Sequence, residues 1–320
     1  MPICTSCTHS ISYLYTVYES ENNLRLEQCP KCHEFVDPYV EHDLLTILLD
    51  LVLLKRGVYR HLLYNRGAEP RRLTGKKTPS GQQHTYANRK TDRWSLILRL
   101  GLVLVLLDAF IRWSYLDANR LSPDTLSTSQ AAIAFLRVFL GTVAETVAFH
   151  GGVTLACYLI MKFLDLFKAS SPKTDIRQQF DLSLIPLSLF YSSITKLFLL
   201  FLLTIWLPQK QTTPSPPAEN TLPSWTKLIT EIDNTTSSYL IGALQILDDD
   251  KLDREWIVRN ILGGMSAGFG LRVILDIHPA FTTFIILAGW AAKTAVATLV
   301  SRWVGGNDMA RDAWLAYSIP

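Results

Sequence analysis

Cys4-x2-Cys7 and Cys29-x2-Cys32, with 21 residues between the pairs, hold most of the chemistry that this sequence can be read for directly. Each C-x-x-C presents two thiolates to one ion from a tight knuckle, and two knuckles complete a tetrahedral Cys4 zinc site. The separation is just beyond the usual spacing of about 15–20, an excess that a hairpin insertion absorbs. With all four positions filled by protein, such a zinc is structural and has no open position for catalysis. A thioredoxin-like use of the motif needs a βαβ setting that the flanking residues lack. Residues 1–43 carry only Arg25 and Lys31 against Glu19, Glu21, Glu27, Glu34, Asp37, Glu41 and Asp43. That acidic excess repels a phosphate backbone, so no nucleic acid is expected as a partner.

A second group of reactive side chains lies inside long apolar stretches, where a polar group is costly unless it is paired or faces a wet cavity. Asp108 and Arg112, at i and i+4, can neutralise each other. Arg259, Arg272 and Asp276 lie near the ends of their stretches and can snorkel. Glu145, His150 and Lys196 have no such local partner. Two readings stand for these three: a polar cluster in a bundle interior that touches a lipid headgroup or partner, or buried structural pairing. Cys157 reads as a small packing residue. No G-x-S-x-G, H-E-x-x-H, Walker loop or G-x-G-x-x-G between strand and helix is present, so no catalytic residues are assigned and no enzyme is expected.

The elements that must position these groups are mostly membrane helices. Of 320 residues, 48% are hydrophobic and 18% charged, against roughly 25% charged in soluble chains. This excludes a disordered chain or a secreted soluble enzyme. The first twenty residues contain no Lys, Arg or apolar run, so no cleaved signal peptide is expected. The expected architecture is mostly α: a multi-span helical membrane bundle with a small N-terminal Cys4 zinc ribbon at 1–42. Residues 43–65 begin with a Leu-rich helix, placed either at the headgroup level or packed on the cysteine domain. Residues 66–93 read as a basic linker, and 94–320 as the bundle. About five spans are expected, at 95–116, 143–165, 183–207, 256–277 and 280–303. The apolar block 131–167 is too long for one crossing, so an interfacial helix before 143, or two short spans broken at Gly151-Gly152, is expected there.

Loop charges orient the chain. Residues 55–93 carry eleven Lys/Arg and 168–180 carry three, whereas 208–255 carries four against eight acidic residues. The N-terminus is therefore expected in the cytosol and 208–255 in the lumen. Asn234-Thr235-Thr236, a glycosylation sequon, falls in that lumenal loop. Gly264, Ser266, Gly268 and Gly270 form a small-residue face, matched by Ala288, Ala292 and Ala295 on the next span.

The order of features from 4 to 65 is more specific. The two cysteine pairs enclose Leu14-Tyr15-Thr16-Val17-Tyr18 and Leu24-Arg25-Leu26, and Cys29-Pro30-Lys31-Cys32 leads to Asp37-Pro38-Tyr39-Val40-Glu41. The Leu-rich helix and Tyr59-Arg60-His61-Leu62-Leu63-Tyr64-Asn65 complete the block. This resembles the N-terminal homology domain of the Arv family, endoplasmic-reticulum membrane proteins of lipid homeostasis. The resemblance implies zinc ligands at Cys4, Cys7, Cys29 and Cys32, and an interfacial or partner-contacting segment at Tyr59, Arg60, His61, Tyr64 and Asn65. It implies a role in sterol transport, sphingolipid metabolism and early glycosylphosphatidylinositol synthesis, in the endoplasmic reticulum and also the Golgi membrane. The implied partners are membrane lipids (sterol, sphingolipid or glycosylphosphatidylinositol intermediates) and lipid-synthesis enzymes. The alternative is a non-catalytic subunit of the glycosyltransferase complex that initiates glycosylphosphatidylinositol synthesis.

Overall fold

The computed structural model describes residues 2–18, 23–68, 70–72, 81–118, 128–167, 175–206 and 257–305, with Arg311, Trp314, Leu315 and Ser318. Asn234 and the expected loop 208–255 lie outside the described residues.

At the N-terminus, strands β1 (Tyr15–Val17) and β2 (Leu24–Leu26) pair antiparallel, with Tyr15 opposite Leu26. Around them Cys4, Leu14, Cys29, Val36 and Ala68 form a small buried core. So little apolar mass leaves a ribbon dependent on a further tie. Strand β3 (Arg71–Arg72) adds parallel to β1, Thr16 opposite Arg71. The basic linker expected at 66–93 is therefore not structureless: its start joins the ribbon, and a helix begins at Gly81. Backbone pairing leaves no periodicity in an Arg-Arg pair, and a helix nucleated in an apolar span extends past it at little cost.

The helices are α1 (Leu44–Val52), α2 (Arg56–Arg60) with a π turn at His61–Asn65, and α3 (Gly81–Ala118). Then come α4 (Thr128–Phe167), α5 (Asp175–Gln178) and α6 (Leu184–Trp206). A π turn at Ile257–Leu262 opens α7 (Gly263–Leu275), and α8 (Pro279–Gly305) follows. Among the described residues, four stretches are long and apolar enough to cross a membrane: Thr91–Ser114, Ala131–Leu166, Leu184–Leu203 and Pro279–Val304. This is a membrane protein. The segment expected as a span at 256–277 is divided into the π turn and α7, and it runs antiparallel along α6. Ser266 Oγ donates to the Ser192 carbonyl at 3.3 Å, and Gly270 backs onto Ser188.

The block 131–167 forms one continuous helix rather than an interfacial helix plus a span, and Gly151-Gly152 does not break it. Gly152 serves close approach instead: a Cβ there would lie 2.7 Å from the Ala292 Cβ of α8. Of the small-residue faces on the two helices, Ala292 thus meets α4, while Gly264 packs on Trp290. Gly152→Leu should destabilise the bundle by ~1–3 kcal/mol through overpacking, read as a lower unfolding temperature in detergent. Gly151→Leu is the control, since a Cβ there meets nothing within 4 Å, and an equal effect from both would disprove the contact's role.

Long-range bonds fix which ends of the helices share a side. Gln179 Nε2 donates to Ser10 Oγ at 3.0 Å, and Arg66 Nη1 to Tyr191 Oη at 3.4 Å, so the start of α6 meets the ribbon. At the other end Arg112 Nη1 donates to Ser318 Oγ at 3.1 Å. Helix α1 packs on α6, where Thr195 Oγ1 donates to the Leu51 carbonyl at 3.4 Å. Its Leu44, Leu45, Leu48 and Leu49 remain exposed, the geometry of a helix lying in a headgroup layer.

Candidate functional site

The two cysteine pairs fold as copies of one knuckle. In the first, Cys4 N donates to the His9 carbonyl and Thr8 N to the Cys4 carbonyl, at 2.9 and 3.0 Å. In the second, Cys29 N donates to the Glu34 carbonyl and His33 N to the Cys29 carbonyl, at 2.8 and 2.9 Å. Thr8 and His33 both take left-handed backbone, φ 66° and 61°, which turns the chain back beneath the sulfurs. All four Sγ atoms lie within 4.8 Å of one another, with Cys7–Cys29 at 3.5 Å and Cys4–Cys32 at 3.7 Å. A tetrahedral ion with sulfur bonds of ~2.3 Å needs sulfurs about 3.8 Å apart, so the four thiols are placed to hold one metal ion. A disulfide would need about 2.05 Å. Burial pushes the Cys7 thiol up to about 12. Burial acts upward on Cys29 too, but amide donors at Cys32 and Lys31 outweigh it and bring this thiol down to about 7.

Residues 59–65 form the joint between ribbon and bundle. Asn65, buried, accepts from Ile3 N at 2.8 Å through Oδ1 and donates through Nδ2 to the Ile3 carbonyl and Asp37 Oδ2, at 2.8 and 2.7 Å. His61 Nδ1 bonds the same Asp37 Oδ2 at 2.7 Å. Arg60 Nη1 donates to the Thr5 and Ser6 carbonyls at 2.7 and 2.8 Å, gripping the first knuckle. Tyr59 and Tyr64 point the other way, into a core shared with Leu187, Phe190 and Ile274 of the bundle, and Tyr59 meets Phe269 edge-on at 5.6 Å. Helical spacing gives one segment both faces. Asp37 was not singled out as a site residue, although the family-resembling run Asp37-Pro38-Tyr39-Val40-Glu41 begins with it; its Oδ1 accepts from Tyr39 N at 3.1 Å.

Glu145, His150 and Lys196 do come together, around a cavity in the bundle that also includes Asp108, Arg112 and Lys293. Arg112 bridges both carboxylates, Nε to Asp108 at 3.2 Å and Nη1 to Glu145 at 2.7 Å. Thus Asp108–Arg112 pairs as expected, and Glu145 finds the partner its own helix does not supply. His150 Nδ1 lies 2.8 Å from the Thr146 carbonyl, and its ring stacks on Phe190 at 4.5 Å. Cys157 is buried among apolar neighbours, as a packing residue. Asn260 also lines the cavity; a neutral amide at the start of a span gave no signal in sequence.

A four-cysteine ribbon locked by side-chain hydrogen bonds onto a helical membrane bundle defines the class. The chain belongs to the Arv1-like family, whose family model matches residues 3–216. It is similar to Protein arv1 of Schizosaccharomyces pombe, 28% identical over 174 residues that cover 52% of this chain and 57% of that protein. It is also similar to Protein ARV1 of Saccharomyces cerevisiae, 49% identical over 63 residues, 20% of this chain and 19% of that one. Protein ARV 2 of Arabidopsis thaliana is 48% identical over 62 residues, 19% of this chain and 27% of that one. The chain spans at most 57% of the length of these curated relatives. No solved structure matches.

Proposed function

We propose that this protein mediates lipid homeostasis in the endoplasmic-reticulum membrane without itself being a catalyst, acting in sterol distribution, sphingolipid metabolism and early glycosylphosphatidylinositol synthesis. The observation that carries this reading is the charged cavity enclosed by membrane helices, because charged groups at that depth mark ligand paths more often than packing. Membership of the Arv1-like family supports it. In this reading Cys4, Cys7, Cys29 and Cys32 hold a structural Zn2+, which closes the ribbon. The ribbon faces the cytosol, where the basic residues between Lys55 and Arg93 sit near anionic headgroups.

The test is complementation in cells lacking their own family member. The full chain should restore sterol distribution and glycosylphosphatidylinositol anchoring, and Asn234 should be glycosylated unless changed to Gln. A fully expressed, membrane-inserted chain that restores neither lipid phenotype rejects the reading. An unglycosylated Asn234 with a protease-protected ribbon rejects the orientation.

A further inference from the structure

Beyond pairing its own charges, the bundle cavity is built to hold something. It encloses about 120 Å³, several times the roughly 10–15 Å³ one water needs. Its two carboxylates, Asp108 and Glu145, both bond to Arg112, so one cation already answers them in geometry. Lys196 and Lys293, from facing helices, line the same space. They lie roughly 18 and 21 Å along α6 and α8 from the ribbon end, at 1.5 Å per residue, deep within the apolar layer. The lining, which also includes Arg259, therefore has more basic groups than carboxylates. Asn260 adds an independent sign. The residue is 4% exposed and its Nδ2 donor has no hydrogen-bond partner, a costly state for a buried amide. It sits in the π turn Ile257–Leu262, and π turns inside helices recur at functional sites.

The cavity does not stand alone. An apolar groove on the outer face of α4 and α6, lined by Val147, Gly151, Leu155, Tyr158 and Pro186, shares Thr146, His150 and Phe190 with it. Leu155 and Tyr158 are exposed on that groove, where a bilayer would put acyl chains. A donor-rich chamber that shares one wall, Thr146, His150 and Phe190, with an apolar, lipid-facing groove matches a molecule with an anionic head and hydrocarbon tails. We propose that this composite site binds an anionic phospholipid, its phosphate held by Lys196, Lys293 and Asn260 and one acyl chain lying along Gly151 and Leu155. The proposal rests on the lipid-handling reading above and names the lipid class that reading would act upon.

The probes are dioctanoyl phosphatidylinositol, dioctanoylglycerol with the same tails and no phosphate, and inorganic phosphate, each titrated calorimetrically into the full chain in neutral detergent. The phosphatidylinositol should bind at least tenfold more tightly than either of the others. Lys196→Met combined with Lys293→Met should weaken it at least tenfold and leave dioctanoylglycerol unchanged. Methionine suits the membrane interior, and unchanged metal content and unfolding temperature verify the fold. Gly151→Phe, where an added side chain meets nothing within 4 Å, should fill the groove and weaken both lipids while leaving inorganic phosphate unaffected. Equal binding of the two lipids, or full binding by the double methionine variant, overturns the headgroup site. Inorganic phosphate binding as tightly as the phospholipid, or an indifferent Gly151→Phe, overturns the lipid and leaves a small-anion site. If the lipid binds as expected but the complementation above fails, the site stands and the functional reading falls.

Discussion

A Cys29→Ser chain is expected to lose its metal and its ribbon fold together. The wild-type chain should retain one zinc per molecule through gel filtration, and the variant less than a tenth of that. The reason is the size of the ribbon core, in which Cys4, Leu14, Cys29, Val36 and Ala68 form the buried apolar cluster among the described residues. Structural zinc contributes roughly 10–16 kcal/mol of apparent binding free energy to sites of this kind, far more than so small a core can supply. Because the thiols must lose protons to bind, retention should also weaken as the medium is acidified. Amide exchange at Cys4, Thr8, Cys29 and His33, whose backbone bonds close the two knuckles, should become fast in the variant. Full zinc content in Cys29→Ser, or two disulfides in the protein from the cytosol, would sink the four-thiolate site.

Asn65→Ala should separate ribbon from bundle without emptying the metal site. The change strips partners from Ile3 N, the Ile3 carbonyl and Asp37 Oδ2, all bonded at 2.7–2.8 Å. Ile3 N and the Ile3 carbonyl are then left unsatisfied, and at ~1–3 kcal/mol each a loss of about 2–6 kcal/mol at the joint is expected. Asp37 keeps His61 and the Tyr39 amide, and no cysteine is touched. Limited proteolysis should therefore cut between the ribbon and α1 far faster than in wild type, with zinc still at one per chain. Asn65→Asp should be worse, since it sets a second carboxylate against Asp37. Wild-type proteolysis in Asn65→Ala would show that the Arg60 and His61 bonds and the apolar packing of Ile3 hold the two parts together without it.

The contrast between these variants marks what was legible in the sequence. Cysteine spacing announced the metal site because a knuckle is local: two thiols three residues apart meet one ion whatever the rest of the chain does. Apolar length likewise announced the membrane helices, because bilayer thickness acts on each stretch separately. The knuckle repeat was harder to see, since Thr8 and His33 share a backbone conformation and not a residue type.

By itself, then, the sequence determined the four cysteines able to hold one metal ion, the helical membrane character and the N-terminal block that ties the chain to its family. Tertiary structure alone decided which polar side chains meet. Arg60, His61 and Asn65 bond Thr5, Ser6, Asp37 and Ile3, more than twenty residues away. Glu145 seemed unpaired because its partner Arg112 lies 33 residues earlier, on another helix. Gly152 promised a helix break and supplied a helix contact, because only the approach of α8 gives its missing side chain a purpose. The physical reason is common to all three. Spacing and hydropathy act along the chain, whereas the cost of burying a charge or amide is settled by whichever donor or acceptor the packing of distant helices brings within 3 Å.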